Sequence, residues 1–179
     1  LTVVAGVAVV EAIAEASGVE ATLAWPNDVM VRRRKLAGVL TELPAGVNMG
    51  VVGIGVNLTM PTASLPVDAV RPAALDDVLG RPVDSDALVI ALAKRLAIWH
   101  RTLMDGDLKA VHARWRTFLG TIGRVVVVRE ASREYRGTAV DVDRHGALLV
   151  ALPDGSIRAV TSGQVREVSG LAASTGAPS

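Results

Sequence analysis

The spacing of the apolar residues changes three times along this chain, and these changes constrain its fold more than any other feature. Residues 3 to 17 are rich in Ala and Val, place Glu11 and Glu15 on one face and run into Gly18, a pattern that predicts a mostly buried helix. From residue 22 to 59, short apolar runs alternate with Pro, Asn, Asp and Gly, which predicts an antiparallel meander. Its central runs are continuously apolar, so we expect cover on both faces, one of them from the opening helix.

The helical period returns after a proline-rich connection. Residues 60 to 83 are expected to be irregular, with at most a short helix around residues 71 to 80. Residues 84 to 106 then predict a long helix capped by Asp84 or Ser85. Its apolar stripe consists of Leu88, Leu92, Leu96, Trp99 and Leu103. A further helix is expected immediately afterwards, over residues 108 to 120.

After Gly120 the period becomes two, which indicates strands. Four short strands are predicted, separated by turns that include His145-Gly146 and Asp154-Gly155. We therefore expect one domain over residues 1 to 120, a small β-barrel domain over 121 to 168 and a disordered tail over 169 to 179. The predicted fold class is α+β, with a mixed, largely antiparallel sheet and packed helices before the barrel.

Composition excludes several classes of function. The net charge of +1 comes from 19 basic and 18 acidic residues mixed along the chain, so no nucleic-acid partner is implied. No apolar run is long enough to span a membrane, and the start of the chain lacks the pattern of a signal peptide. The absence of cysteine removes disulfides, thiolate metal sites and a cysteine nucleophile. We expect a soluble, cytoplasmic protein, and because Leu1 already lies inside an apolar-periodic stretch, we expect a longer parent chain.

The chemically useful side chains are concentrated between residues 25 and 42. The Trp-Pro-Asn-Asp segment contains a proline that restricts the backbone, and both Asn27 and Asp28 tolerate tight turns. A turn alone would account for these residues. A ligand site is the other interpretation, because Lys35 ends a run of cations close to Gly38, and a cation beside bare main chain suits an acid or a phosphate.

Three linked motifs resemble those of the biotin protein ligases. They are Trp-Pro-Asn-Asp at 25 to 28, Lys-Leu-Ala-Gly-Val-Leu-Thr-Glu at 35 to 42 and Gly-Ile-Gly-Val-Asn at 53 to 57, in the order of that family. A fourth segment, at 160 to 165, resembles the end of the family's C-terminal domain. The resemblance implies the C-terminal part of a class II synthetase-like catalytic domain followed by an SH3-like barrel.

This sequence departs from the family pattern in two ways. The family's Gly-Arg-Gly-Arg-Xaa-Gly-Arg loop, which lies on the N-terminal side of these motifs, does not occur in it. Ala24 stands where the family usually has a lysine before Trp-Pro-Asn-Asp. Half of the adenylate site is therefore absent from these residues, and a phosphate-facing cation is missing at position 24.

The resemblance implies an ATP-dependent biotin ligase, which makes biotinyl-5′-AMP and then transfers biotin to a lysine of a biotin carboxyl carrier protein domain. Biotin and ATP would be the substrates, with Mg²⁺ accompanying ATP and no metal site built from the chain's own residues. The implied catalytic residues are Lys35, which holds the reacting anions, and Asp28, which orients or deprotonates the incoming lysine. The implied substrate or nucleotide contacts are Asn27, Asn57, Gly38 and Trp25, and packing is the expected role of Trp25.

Two other functions remain open at this point. One is a related ligase that acts on lipoate, although the Lys-Leu-Ala-Gly strand followed by a barrel favours biotin. The other is a non-catalytic remnant that binds biotinyl-adenylate, which Ala24 and the absent arginine loop favour. A monomer and a homodimer are both compatible with the sequence, and the three histidines, His100, His112 and His145, lack the spacing of metal ligands.

Overall fold

The computed structural model describes residues 1–46, 49–59, 72–130 and 133–172, the last four by their backbone alone. The chain divides into two compact units, with the boundary between Phe118 and Leu119. The first unit contains helices α1 (Thr2–Ser17), α2 (Leu75–Leu79), α3 (Ser85–Met104) and α4 (Leu108–Phe118), and strands β1 (Thr22–Ala24), β2 (Asp28–Val31), β3 (Arg34–Glu42) and β4 (Val51–Val56). The second contains β5 (Arg124–Glu130), β6 (Arg133–Val142), β7 (Leu148–Ala151), β8 (Ile157–Val160) and β9 (Gln164–Ala172).

The sheet of the first unit has the strand order β1-β2-β3-β4, and every neighbouring pair is antiparallel. Its parallel component is an isolated bridge between Lys35 and Pro72. Helix α1 packs against the sheet, and α3 and α4 pack against α1. The predicted α+β class, with a mixed and largely antiparallel sheet and packed helices, is confirmed.

One face of this sheet forms the core. Val29, Val31 and Val39 are buried there, and Gly6 of α1 lies against Leu23 of β1. On the opposite face, Leu40 is 60% exposed and Val51 54% exposed. The expectation that both faces would be covered is therefore wrong within the described part of the chain. The apolar runs suggested two buried faces, but the open face consists largely of glycines, polar residues and a few exposed aliphatic side chains.

Helices α1, α3 and α4 begin and end within two residues of their predicted positions. Helix α1 ends at Gly18, which adopts a left-handed conformation with φ 74°. The Asp84 side chain caps α3 by accepting a hydrogen bond from the Ala87 amide at 2.9 Å. Helix α2 lies within the predicted residues 71 to 80, while residues 60 to 71 of the predicted connection lie outside the described residues.

Two carboxylates in the apolar helix α1 connect it to the neighbouring helices. The buried Glu11 carboxylate accepts hydrogen bonds from the Arg114 guanidinium at 2.7 Å, the Trp99 indole at 2.9 Å and the Arg95 guanidinium at 3.2 Å. Glu15 also binds Arg95, at 2.8 Å. A buried carboxylate is tolerated when several donors surround it, so this cluster has a structural role.

The second unit is an antiparallel sheet with the strand order β8-β7-β6-β5-β9, and it corresponds to the expected SH3-like small barrel. Val126, Val128, Leu148 and Val150 form its core. Gly146 and Gly155 occupy the two predicted turns with φ of 89° and 83°. No helix in the described parts of either unit is long and apolar enough to cross a membrane.

Two details of the second unit differ from the prediction. The last of the four predicted strands is two strands, β8 and β9, separated by a bend at Gly163, where φ is 124°. Strand β9 also continues to Ala172, which pairs with Arg124 of β5, so the tail predicted from residue 169 is wrong for residues 169 to 172. The rest of the predicted tail, 173 to 179, lies outside the described residues.

Candidate functional site

A bulge of one residue in β3 decides which face of the sheet Lys35 occupies. Val29 pairs with Ala37, whereas its neighbour Met30 pairs with Lys35, which leaves Leu36 as the extra residue. In an unbroken antiparallel pair Met30 would pair with Leu36, and Lys35 would then lie on the core face. The bulge moves Lys35 to the open face while Leu36 stays fully buried.

The four strands contribute one residue each to a row across the open face. Ala24 pairs with Asp28, Asp28 with Gly38, and Gly38 with Gly55. Directly opposed residues of antiparallel strands point to the same side of a sheet, so all four lie on the face that Lys35 joins. We call these four residues the open-face row.

Lys35 and Asp28 form an ion pair on this face. The Lys35 Nζ lies 2.6 Å from the Asp28 Oδ1, and the two side chains are 42% and 31% exposed. A Cβ atom added at Gly38 would lie 3.4 Å from the Lys35 Nζ, so the glycine leaves room for the pair. An ion pair this exposed contributes only about 0 to 1 kcal/mol to stability. Its charges are therefore of little use to the fold and remain accessible to a ligand.

The far end of the open-face row exposes bare main chain. A Cβ atom added at Gly55 would meet nothing within 4 Å, and one at Gly53 would meet only the Leu40 carbonyl oxygen, at 3.9 Å. Leu40 pairs with Gly53 and therefore points to the same face. The open face thus has a charged end at Asp28 and Lys35 and an uncharged end where a ligand can approach the backbone. This arrangement suits a ligand with an anionic group and a less polar body.

Asn27 and Trp25 fix the turn that carries Asp28. The Asn27 side-chain Nδ2 donates to the Val39 carbonyl at 2.8 Å, and the Val39 amide donates to the Asn27 carbonyl at 2.9 Å. Trp25 is buried, in agreement with the packing role expected for it. The turn-forming interpretation therefore has direct structural support for Asn27, whose main chain and side chain both bind β3.

Asn57 lies beside the backbone of the bulge. Its amide donates to the Leu36 carbonyl at 2.9 Å, and its side-chain Nδ2 donates to the Ala73 carbonyl at 3.2 Å and, at 3.4 Å, to that of Lys35. All five other predicted site residues lie on β2, β3 or the turn before β2, so the six are brought together on adjacent strands and their turns.

Sequence reasoning missed two parts of this region. The bulge at Leu36 has no residue type that marks it, because Leu also fits an ordinary buried strand position. The contact of Arg34 with Pro72 was also not anticipated, because these residues are 38 positions apart and Arg34 belongs to a cation run that is typical of a solvated turn.

No group of three or more His, Asp or Glu side chains within the described ranges is placed to hold a metal ion. The three histidines lie on α3, on α4 and in the turn between β6 and β7. The chemical resources of this region thus include the Lys35 cation, the Asp28 carboxylate, the side-chain amides of Asn27 and Asn57 and the exposed main chain of the glycines.

Family models match both units of the chain. The model described as "Biotin/lipoate A/B protein ligase family" matches residues 1–58, which include the strands of the open-face row. The model described as "Biotin protein ligase C terminal domain" matches residues 121–165, most of the second unit.

Curated relatives carry related names. The "Biotin--[acetyl-CoA-carboxylase] ligase" of Paracoccus denitrificans is 32% identical over 162 residues, which are 87% of this chain and 68% of that protein. The "Bifunctional ligase/repressor BirA" of Bacillus subtilis is 28% identical over 160 residues, 87% of this chain. The chain spans about half the length of that relative, 49%.

Solved structures share the fold. The biotin protein ligase from Aquifex aeolicus superposes with a TM-score of 0.82 at 24% identity, covering 93% of this chain and 74% of that one. Its complex with biotin and ATP gives a TM-score of 0.81. The fold, both family models and the extent of the match to the Paracoccus ligase agree, and the chain belongs to the biotin protein ligase family.

Proposed function

We propose that this protein is an ATP-dependent biotin ligase that forms biotinyl-5′-AMP and transfers biotin to a lysine of a carboxylase carrier domain. The observation that carries the proposal is the open face, where a bulge places Lys35 against Asp28 at one end of a row that ends in bare glycine main chain. The names of the relatives from Paracoccus and Bacillus, and the Aquifex complex with biotin and ATP, support the choice of substrates.

In the first step, a carboxylate oxygen of biotin attacks the α-phosphorus of ATP. A new P–O bond forms, the bond to the bridging oxygen breaks, and pyrophosphate leaves with the electron pair. Two anions must come together, and negative charge builds on the phosphoryl oxygens. Lys35 supplies the cation, since its Nζ lies at the charged end of the row beside Gly38.

The body of biotin lies toward the glycine end of the row. Gly38 and Gly55 have no side chains that would keep a ring system from the main chain, and the exposed Leu40 offers apolar surface next to them. Asn27 and Asn57 are placed on the nucleotide: Asn27 retains one side-chain N–H and its carbonyl oxygen, whereas both side-chain N–H groups of Asn57 bind main-chain carbonyls, so Asn57 offers its carbonyl oxygen.

In the second step, the amine of an acceptor lysine attacks the carbonyl carbon of biotinyl-5′-AMP. An amide bond forms, AMP leaves, and the amine loses a proton. Asp28 is the nearby carboxylate that can orient this amine or accept its proton. It becomes available once Lys35 turns from Asp28 toward the phosphate. No nucleophile from the enzyme is required, which suits a chain without cysteine.

We infer that Mg²⁺ reaches the site with the phosphates of ATP. Asp28 is the single carboxylate of the open-face row and already pairs with Lys35, so these residues do not fit a magnesium ion held by the protein itself. We place the reaction in the cytoplasm, where ATP and carrier domains are available. The protein is proposed to act as a monomer or a homodimer.

Pyrophosphate release tests this proposal. The protein in its full natural length is incubated with ATP, Mg²⁺ and either biotin, lipoate or no acid. We expect release that depends on biotin, and biotinyl-5′-AMP as the product. Release with lipoate in place of biotin would assign the protein to the lipoate ligases. Binding of preformed biotinyl-5′-AMP without any release would identify a non-catalytic binding protein.

A further inference from the structure

Arg34 binds the chain just after the long connection that follows β4. Its guanidinium donates two hydrogen bonds to the Pro72 carbonyl, from Nε at 3.0 Å and from an Nη atom at 2.7 Å. The Ala73 amide donates to the Lys35 carbonyl at 2.7 Å. Residues 34 and 35 are therefore joined to residues 72 and 73 by three hydrogen bonds, a group we call the Arg34 clasp.

Proline explains why a side chain is needed in this contact. Lys35 and Pro72 form a parallel bridge, but proline has no amide hydrogen, so Pro72 cannot donate to the strand. The guanidinium of Arg34 supplies additional hydrogen bonds from the β3 side. Because its donors form a rigid planar fork, Arg34 can direct two of them to one oxygen.

The clasp acts where the hairpin has few other restraints. Arg34 and Lys35 are the first residues of β3, paired with Val31 and Met30 next to a turn in which Arg32 and Arg33 both have positive φ. The bulge at Leu36 interrupts the ladder on their other side. Only two consecutive pairs thus hold these residues to β2, whereas on the other side the clasp joins them to a segment whose Ala73, Ala74 and Leu75 are fully buried.

We infer that Arg34 is a positioning residue, which holds the Lys35 backbone through Pro72 and so keeps the Lys35 amine at the charged end of the open-face row. The inference rests on the proposed function, since it takes Lys35 to be the cation that binds the reacting phosphate. Displacement of a catalytic cation by as little as 1 Å is enough to reduce a rate strongly. Arg34 itself need not touch a substrate.

Hydrogen exchange tests the clasp independently of any reaction. Arg34→Met keeps the length of the side chain and removes its donors. We expect the Ala73 amide to exchange at least about fivefold faster in this variant, because a charged hydrogen bond near it is lost. Arg101→Met, which removes an exposed arginine of α3, is the matched control and leaves Ala73 exchange unchanged. Unaltered exchange in Arg34→Met overturns the inference.

The rate of pyrophosphate release tests the link to Lys35. We expect Arg34→Met to lower kcat about tenfold with a smaller change in the KM for biotin, and Arg34→Lys, which keeps one donor, to recover part of the loss. In a Lys35→Ala background Arg34→Met should cause no further loss, because Arg34 acts through Lys35. An additional loss in that background of the same size as in the wild type contradicts the inference.

These two measurements separate the clasp from the proposed function. A wild-type protein without biotin-dependent release refutes the ligase, and Ala73 exchange then decides alone whether Arg34 holds the Lys35 backbone. Should Arg34→Met fail to fold, Arg34→Lys gives both readouts, with smaller expected changes in the same direction.

Discussion

Ala24 is the residue whose identity bears most directly on the charge of the open face. It pairs with Asp28 across β1 and β2, so a longer side chain at this position would extend over the charged end of the row. The family pattern has a lysine here. In the proposed site, a cation at position 24 would therefore share the Asp28 carboxylate with Lys35 and add a second positive charge for phosphate.

We expect Ala24→Lys to increase the formation or the affinity of biotinyl-adenylate in the full-length protein. A charge-assisted contact contributes about 1.5 to 3 kcal/mol, or about a tenfold to hundredfold effect. Rates of pyrophosphate release at saturating biotin and ATP, compared with the wild type, provide the check.

Equal rates for Ala24→Lys and the wild type would mean that another cation already compensates for the absence of a lysine at position 24. The candidates are Arg32, Arg33 and Arg34 of the adjoining turn. The Arg34 guanidinium is held by the Pro72 carbonyl, which makes Arg34 a weaker candidate than Arg32.

At the scale of the element, the β2–β3 hairpin has an uncommon turn. Arg32 and Arg33 adopt φ of 48° and 63°, the left-handed values that a tight hairpin turn requires at both central positions. Asparagine and glycine are the usual residues here, since other side chains pay about 1 to 2 kcal/mol in this conformation. Arg32 and Arg33 therefore lower the stability of the hairpin, but they place positive charge next to the proposed site.

Arg32→Asn should stabilise the first unit by about 0.5 to 1 kcal/mol, because asparagine adopts this conformation at lower cost. Urea unfolding followed by tryptophan fluorescence measures the change, because Trp25, Trp99 and Trp115 all lie in the first unit. Arg81→Asn replaces an exposed arginine outside the hairpin and is the matched control, with no stabilisation expected. An Arg32→Asn variant no more stable than this control would contradict the account of the turn.

The elements themselves were largely predictable from the sequence. The capping residues Gly18 and Asp84 and the turn glycines Gly146 and Gly155 act locally, so their patterns gave the correct positions. The bulge at Leu36 and the clasp of Arg34 depend on partners in other strands or far along the chain. Patterns within one segment do not contain that information, and the face occupied by Lys35 could therefore be assigned only from the pairing.

At the scale of the whole molecule, the two units have different architectures, and the spacing of the apolar residues in each unit accounts for its architecture. The first combines a helix on one face of a sheet with an open face on the other, and the second is a small antiparallel barrel. Continuous apolar runs suggested a fully covered first sheet. The exposed Leu40 and Val51, with the glycines beside Leu40, show instead that one face of this sheet is open. Leu40 and the glycines beside it, which made the cover prediction wrong, belong to the proposed site.

The central claim is that this surface forms an adenylate with Lys35 as its cation. The most direct measurement is the rate of pyrophosphate release at saturating biotin and ATP for Lys35→Ala in the full-length protein. The matched control is Lys94→Ala, which removes a lysine that is 64% exposed and 4.0 Å from Glu15, away from the open face. The free energy of unfolding of each variant, measured in urea, should differ from that of the wild type by less than about 1 kcal/mol, because both ion pairs are exposed.

We expect Lys35→Ala to lower the rate about tenfold to a hundredfold, because it removes a charge that acts on the transition state, while Lys94→Ala keeps the wild-type rate. A Lys35→Ala protein that folds normally and releases pyrophosphate as fast as the wild type would contradict the assignment of the open face as the adenylation site.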